Sequence, residues 1–276
     1  MRLVDSWTDA GRPSNEDAWG ATPAAAWVID GTKGPFEPSL TPGPTDATWY
    51  AQLLNGCLLE HFAAAPLDPR GALASAAEEL SRSYRREAKA APAHEQPSAC
   101  LALASLDKSG EMHLFNIGDC RILVEKAGAI RQFGSSGIVP FETAAIAELV
   151  PLRARGADPW PRLRAIFRRN FEEAMNKPGG YWVTHPTLPW LPAVQQMTLS
   201  AGEADHLLIA SDGFFRLVNV FGAYDEAKLV ATALAGGLAA LGAELREMES
   251  KDADCLRYPR LKAMDDASAV LVNSGK

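Results

Sequence analysis

The spacing of apolar residues changes several times along the chain, and each change predicts an element. In residues 46–65 apolar side chains recur every three or four positions, at Trp49, Leu53, Leu54, Cys57 and Leu58. That spacing predicts a helix capped by Thr45 or Asp46 and running to about Ala65. Leu73, Ala77, Leu80 and Tyr84 repeat the pattern and predict a second helix over about 69–91, which Pro92 stops. Upstream, residues 24–30 (AAAWVID) form a short apolar run, read as a buried strand that delivers Asp30 to a loop. Gly31, Gly34, Pro35 and Pro38 then break any regular element. From Ser98 the rhythm becomes β-like. SACLALASLD, EMHLFNIGD and RILVEKAG are separated by Lys108-Ser109-Gly110 and Gly118-Asp119 and closed by Ala127-Gly128-Ala129. They predict an antiparallel meander. HLLIAS (206–211) is another buried strand ending at Asp212-Gly213. A helix over about 225–249 follows, with Leu229, Ala233 and Leu241 inward, and SAVLVN is a last strand. Residues 134–195 are the least regular part. Helices and strands come in blocks, which predicts an α+β fold with antiparallel sheets rather than a doubly wound parallel one.

Composition narrows this reading. At 276 residues the chain can build a large core in one domain. Its 47% hydrophobic and 22% charged residues exclude a wholly disordered chain. A net charge of −7 disfavours bare nucleic acid and anionic membranes as partners. Cys57, Cys100, Cys120 and Cys255 are far apart with no CxxC pair, so they read as buried small apolar residues in a reducing compartment. The first residues show no apolar leader, and no stretch approaches 18 uncharged apolar residues. A cytoplasmic monomer is expected. One segment opposes the overall acidity: residues 151–177 hold seven basic residues against three acidic ones.

The acids themselves suggest chemistry. Asp30 and Asp212 each follow an apolar run and precede a glycine. Asp119 follows FNIG, and Asp265 and Asp266 shortly precede SAVLV. One such Asp is an ordinary turn residue. Several gathered at sheet ends would repel one another unless a cation sat among them. Oxygen donors without His or Cys clusters suit Mg²⁺ or Mn²⁺ rather than zinc. Two such ions about 3.5–4 Å apart can clamp a phosphoryl group for in-line attack.

In order, RPSNED, VIDGTKG, FNIGDCRILV, LIASDGF and DDASAVLV match a family pattern of Arg-x-x-x-Glu-Asp, Val-x-Asp-Gly-x-x-Gly, Gly-Asp-Ser-Arg, Ser-Asp-Gly and Asp-Asn-x-Ser/Thr. The chain resembles the metal-dependent protein phosphatases, the PPM or type 2C family, over residues 12 to about 272. The resemblance implies a single domain over 1–276: a four-layer α-β-β-α sandwich of two antiparallel sheets flanked by helix pairs, with an irregular flap-like insertion at about 134–195. It implies two Mg²⁺ or Mn²⁺ ions, with Asp30 bridging both, the Gly31 carbonyl on one, and Asp212 and Asp265 on the other. Glu16 and Asp17 correspond to acids that bind metal through water or support the site. Asp119 resembles the acid that helps hold a third, weaker ion. Arg12 corresponds to the phosphate-binding arginine, whose planar fork matches two phosphate oxygens. The implied reaction is hydrolysis of a phosphoserine or phosphothreonine protein by a metal-bridging hydroxide. The alternatives are a non-catalytic phosphatase-like binding module and a phosphohydrolase of a small phosphorylated metabolite.

The chain departs from the pattern at several places. Thr32 stands where many members carry a His proposed to protonate the leaving group, so the general acid is unassigned. Asp266 replaces the Asn of the last motif, and Cys120 replaces a Ser. The basic stretch Arg153–Arg169 lies near the family's flap and reads first as a solvated helix face with Trp160, Leu163, Ile166 and Phe167 packed inward. The competing reading is that it helps dock an acidic phosphoprotein segment. Lys33 is expected in solvent.

Overall fold

Two strands with opposite-facing rows of apolar side chains set the architecture. In β3 (Ala25–Thr32), Ala26 and Val28 face one way and Ala25, Trp27 and Ile29 the other, all fully buried. In β10 (Ala267–Asn273), Val270 and Val272 oppose Ala269 and Leu271, equally buried. A strand buried on both faces needs a layer on each side. The computed structural model, which describes residues 1–11 and 13–275, supplies those layers.

One sheet runs β2 (Asp17–Ala21), β3, β4 (Ser98–Leu106), β5 (Met112–Ile117), β8 (Gln195–Leu199). The other runs β1 (Arg2–Asp9), β10, β9 (His206–Ala210), β6 (Arg121–Lys126), β7 (Ala129–Phe133). Every neighbouring pair is antiparallel. Ala102, Leu114, Ile122, Leu207, Ile209 and Val270 pack between the sheets. The outer face of the first sheet is covered by α1 (Asp46–His61) and α2 (Pro69–Glu87), through Tyr50, Leu54, Leu58, Leu73 and Leu80. The outer face of the second is covered by α5 (Asp212–Asn219), α6 (Glu226–Gly236) and α7 (Leu238–Lys251), through Phe214, Leu217, Leu229, Leu241 and Leu245. The result is the expected α-β-β-α sandwich.

The helix readings hold, with shorter ends. Thr45 caps α1 by accepting from the Thr48 N–H. The helix stops at His61: Pro66 has no N–H to offer the Phe62 carbonyl, which accepts instead from the Thr22 hydroxyl at 2.8 Å. After α2 the chain turns extended at Ala88, and the Lys89 N–H donates to the Leu40 carbonyl.

Three expectations are corrected. The three β-prone runs are not one meander, because β5 and β6 belong to different sheets. The chain crosses between them at Gly118-Asp119-Cys120. Asn116, fully buried, staples the crossing: its Nδ2 donates to the Cys120 carbonyl and its Oδ1 accepts from the Ser135 N–H. The helix over 225–249 is two helices, broken at Gly237 (φ 82°), where Asp5 Oδ2 accepts the first N–H of α7. Residues 134–195 are not irregular but carry α3 (Val139–Ala154) and α4 (Trp160–Glu173). Leu149, Leu163 and Ile166 are buried there, whereas Trp160 is 47% exposed rather than packed inward. Strands β1, β2, β7 and β8 had no reading, since none carries a clean alternation. All four cysteines are buried and unbridged. Among the described residues, no helix is long and apolar enough to cross a membrane.

The crossing at Gly118 has little room for change. Its φ is +84°, and a Cβ there would lie 2.2 Å from Cys100 Sγ. Gly118→Ala combines left-handed backbone strain with overpacking, and should destabilise by about 2–4 kcal/mol. Urea unfolding measures this, and an unchanged midpoint would contradict the account.

Candidate metal centre

The row Ala26–Val28 on the inner face of β3 ends in Asp30, so the apolar seam between the sheets ends in a carboxylate. Antiparallel register sets Asp17 of β2 directly opposite Asp30, and the Gly31 N–H donates to the Glu16 carbonyl at 3.0 Å. Directly opposed like charges are unfavourable. From the second sheet, β9 leads through Ser211 into Asp212 at the start of α5. A Cβ on Gly213 would lie 2.0 Å from the Asp266 carbonyl, so only glycine lets the 265–266 backbone approach Asp212 this closely. The crossing after β5 adds Asp119. Asp30, Asp119, Asp212, Asp265 and Asp266 thus line one cleft, with Gly31 and Thr32 beside them.

Burial raises the cost of this gathering. Asp17 is 3% exposed, and neither of its carboxylate oxygens has a hydrogen-bond partner among the described residues. The nearby Ser211 and Ser268 hydroxyls favour its ionised form but bond elsewhere, Ser211 Oγ to the Ser268 N–H and Ser268 Oγ to Thr8. Burial and then Asp212 and Asp266 hold Asp17 well above the usual carboxylate range. Asp30 is raised in the same way, by burial and then by Asp212, Asp17, Asp119 and Asp265. Asp119 is pushed up to about 6, by burial and then by Asp212, and its Oδ1 also lacks a partner among the described residues.

The structure adds a carboxylate that the sequence reading missed. Glu142, in the first turn of α3, brings an oxygen within 4.8 Å of oxygens from Asp119 and Asp212. Burial and then Asp119 and Asp212 push it well up. The only local signal was an acid just after Pro140, where helices begin, inside a segment read as irregular. The same two helices wall the cleft with Ile138, Phe141, Ile146, Phe167 and Phe171.

Asp265 and Asp266 divide their roles. Asp265 accepts from Arg216 Nη2 and Lys262 Nζ, both at 2.8 Å. Asp266 accepts the Gly11 and Glu16 N–H groups at 3.0 Å, tying the first motif to the last. Glu16 is half-buried beside this junction. Arg12 lies outside the described residues. Lys33 is not in solvent: its ammonium pairs with the buried Asp46, whose carboxylate also accepts from the Leu40 and Thr41 N–H groups and is held down to about 2.

The donor set fits hard divalent cations. It consists of carboxylates, two of them, Asp17 and Asp119, with buried oxygens that lack partners among the described residues, and a positive ion would relieve their mutual repulsion.

Comparison of the whole chain with solved structures places this arrangement. It superposes on the serine/threonine phosphatase PstP/Ppp of Mycobacterium tuberculosis with a TM-score of 0.59, at 15% identity, over 99% of both chains. The PstP catalytic domain with two manganese ions gives 0.57 at 16%, over 97% of this chain and 96% of that one. The PPM Ser-Thr phosphatase MsPP of Mycobacterium smegmatis gives 0.57 at 19%, over the full length of both. The chain has the PPM phosphatase fold. No family model and no curated protein matches the sequence. In this PPM fold, the cleft with the acids opens where the two sheets end together.

The acid cluster makes stability depend on pH. In the folded chain Asp119 keeps its proton up to about pH 6. In the unfolded chain it loses it near pH 4. The folded state therefore binds more protons between these values. The contribution is complete below about pH 4 and lost as the pH rises through about 6. Chelator-treated protein should lose roughly 2–3 °C more in Tm than its Asp119→Asn variant between pH 5 and pH 7.5. Thermal melts check this, and parallel profiles would count against the strained cluster.

Proposed function

We propose that this chain is a Mg²⁺- or Mn²⁺-dependent phosphatase of the PPM type, hydrolysing phosphoserine or phosphothreonine in proteins. The observation that carries the reading is the convergence of Asp17, Asp30, Asp119 and Asp212 at the shared end of the two sheets. The buried oxygens of Asp17 and Asp119 that lack partners among the described residues, and the mutual repulsion of the four acids, call for cations, in a fold shared with a phosphatase solved with two manganese ions. The whole of 1–276 acts as one phosphatase domain, with 134–195 as its flap.

In this reading Asp30, the Gly31 carbonyl, Asp212 and Asp265 would hold two ions, with Glu16 and Asp17 supporting the pair and Asp119 helping to hold a third, weaker ion. Bound divalent ions would supply an activated water nucleophile and neutralise charge on the phosphoryl oxygens. The chain's own part is orientation. Arg12 grips two phosphate oxygens with its planar fork. Asp266 fixes the backbone at Gly11 and Glu16 by accepting both N–H groups. The apolar wall of α3 and α4 keeps bulk water from the reacting group. Thr32 lines the cleft where many members of the resembled family carry a histidine. A hydroxyl there can orient a leaving-group oxygen but is too weak an acid to protonate it at neutral pH.

Substrate docking is assigned to the exposed face of α4. Arg162 and Arg169 are partly neutralised by Glu148, and Arg168 lies over the Phe36 ring with its head 4.6 Å from the ring centre. Arg164 is exposed and, with Arg168, can meet an acidic segment of a phosphoprotein.

Two experiments test these assignments. With Mn²⁺ the protein should turn over phosphopeptides and an aryl phosphate, and a chelator should stop both. Asp30→Asn and Asp212→Asn should each lower kcat by about a hundredfold or more while circular dichroism stays native. Wild-type rates in either variant refute the site, and metal-dependent turnover of metabolites alone redirects the substrate class. Separately, Arg164→Glu with Arg168→Glu should raise KM on a phosphoprotein several-fold more than on the aryl phosphate. Equal effects on both would remove the docking surface from the account.

A further inference from the structure

We propose that Arg216 is a positioning residue for Asp265, fixing that carboxylate for the cation that the reading above places beside it; the inference rests on that reading. Arg216 sits on α5 four residues after Asp212, so both side chains rise from one face of the helix. It is 5% exposed, and a guanidinium stays charged at that depth, so it must be answered by acids. Its fork divides between two of them. Nη1 donates to Glu249 Oε1 at 2.7 Å, and Nη2 donates to Asp265 Oδ2 at 2.8 Å.

The Glu249 end is rigid. Glu249 is fully buried on α7, and its other oxygen accepts from Arg246, which in turn donates to the Asp9 carboxylate and carbonyl of β1. The Asp265 end is the one that needs holding. Residues 252–266 contain no helix or strand, and Asp265 comes next to last in that run. Arg260, 2% exposed, ties its middle to Asp252 and the Ala263 carbonyl. The span from Ala263 to the cleft is fixed at the Asp265 carboxylate by Arg216 on one oxygen and Lys262 on the other. A carboxylate gripped this way presents its remaining lone pairs in one direction, as the outer partners of metal ligands commonly arrange. Lysine could supply the charge but not both contacts at once.

Charge and position make opposite demands, which gives a decisive test. If Arg216 acted only as a nearby positive charge, removing it would tighten divalent-ion binding. If it positions Asp265, removing it weakens binding. Chelator-stripped full-length protein is titrated with Mn²⁺ by calorimetry, as wild type, as Arg216→Lys and as the double variant Arg216→Met with Glu249→Met, which removes both members of the buried pair. Positioning predicts Mn²⁺ affinity about 10–100-fold lower in the double variant, with native circular dichroism, and an intermediate loss for Arg216→Lys. Equal or tighter binding in either variant overturns the proposal, and Arg216→Lys decides alone if the double variant does not fold. Failure of the wild type itself to bind Mn²⁺ overturns the metal reading, and the proposal with it.

Discussion

Carboxylates forced together where two sheets end dominate this molecule. Asp17 and Asp30 face each other across β2 and β3, and Asp119 and Asp212 close in from the other sheet. Asp17 and Asp119 are buried, and Asp17, Asp30 and Asp119 are held above the ordinary carboxylate range by burial and then by the neighbouring acids. A sandwich selected for stability alone would put apolar or neutral side chains there, because burying charge without partners is costly. The surrounding architecture reads as what is needed to keep the acids in place despite that cost.

That support comes from elements distant in sequence. Asp266 joins the first and last motifs by accepting two backbone N–H groups. The Arg216–Glu249–Arg246–Asp9 chain runs from the cleft through α7 to β1. On the opposite flank, Lys33 pairs with Asp46 under the loop that follows Asp30, so the first turn of α1 anchors that loop. Arg216 and Lys262 reach the cluster at Asp265, whereas the other paired ions sit around it. The negative potential in the cleft is therefore left for a ligand, while the scaffold's own charges are satisfied locally.

Sequence revealed the parts governed by short-range pattern. The two helices after Asp30 follow from three-and-four spacing, and the buried strands at 24–30, 206–211 and 268–273 from runs of apolar residues beside acids. The acids Asp30, Asp119, Asp212 and Asp265 were legible because each sits at the junction of an apolar run and a turn. Sheet membership was not legible. Nothing local distinguishes a hairpin at Gly118-Asp119 from a crossing between sheets, since both need a tight turn, and only pairing with β9 and β7 decides it. Glu142 was invisible for a related reason. It comes from a helix whose apolar face is set by the cleft it covers rather than by a regular stripe, so neither its element nor its proximity to Asp119 could be read from spacing.

The placement of α3 and α4 links the two halves of the problem. Both helices leave much of their surface in solvent, and their buried residues are few. Phe171 enters the inter-sheet core, while Phe141, Ile146 and Phe167 line the cleft. An apolar wall beside a ring of acids lowers the local dielectric, which strengthens the repulsion among them and the attraction of any cation that enters. The same wall sets the cleft's width, and so the size of group that can approach the acids. A segment that the sequence presented as a break in the pattern thus governs both the electrostatics of the site and access to it.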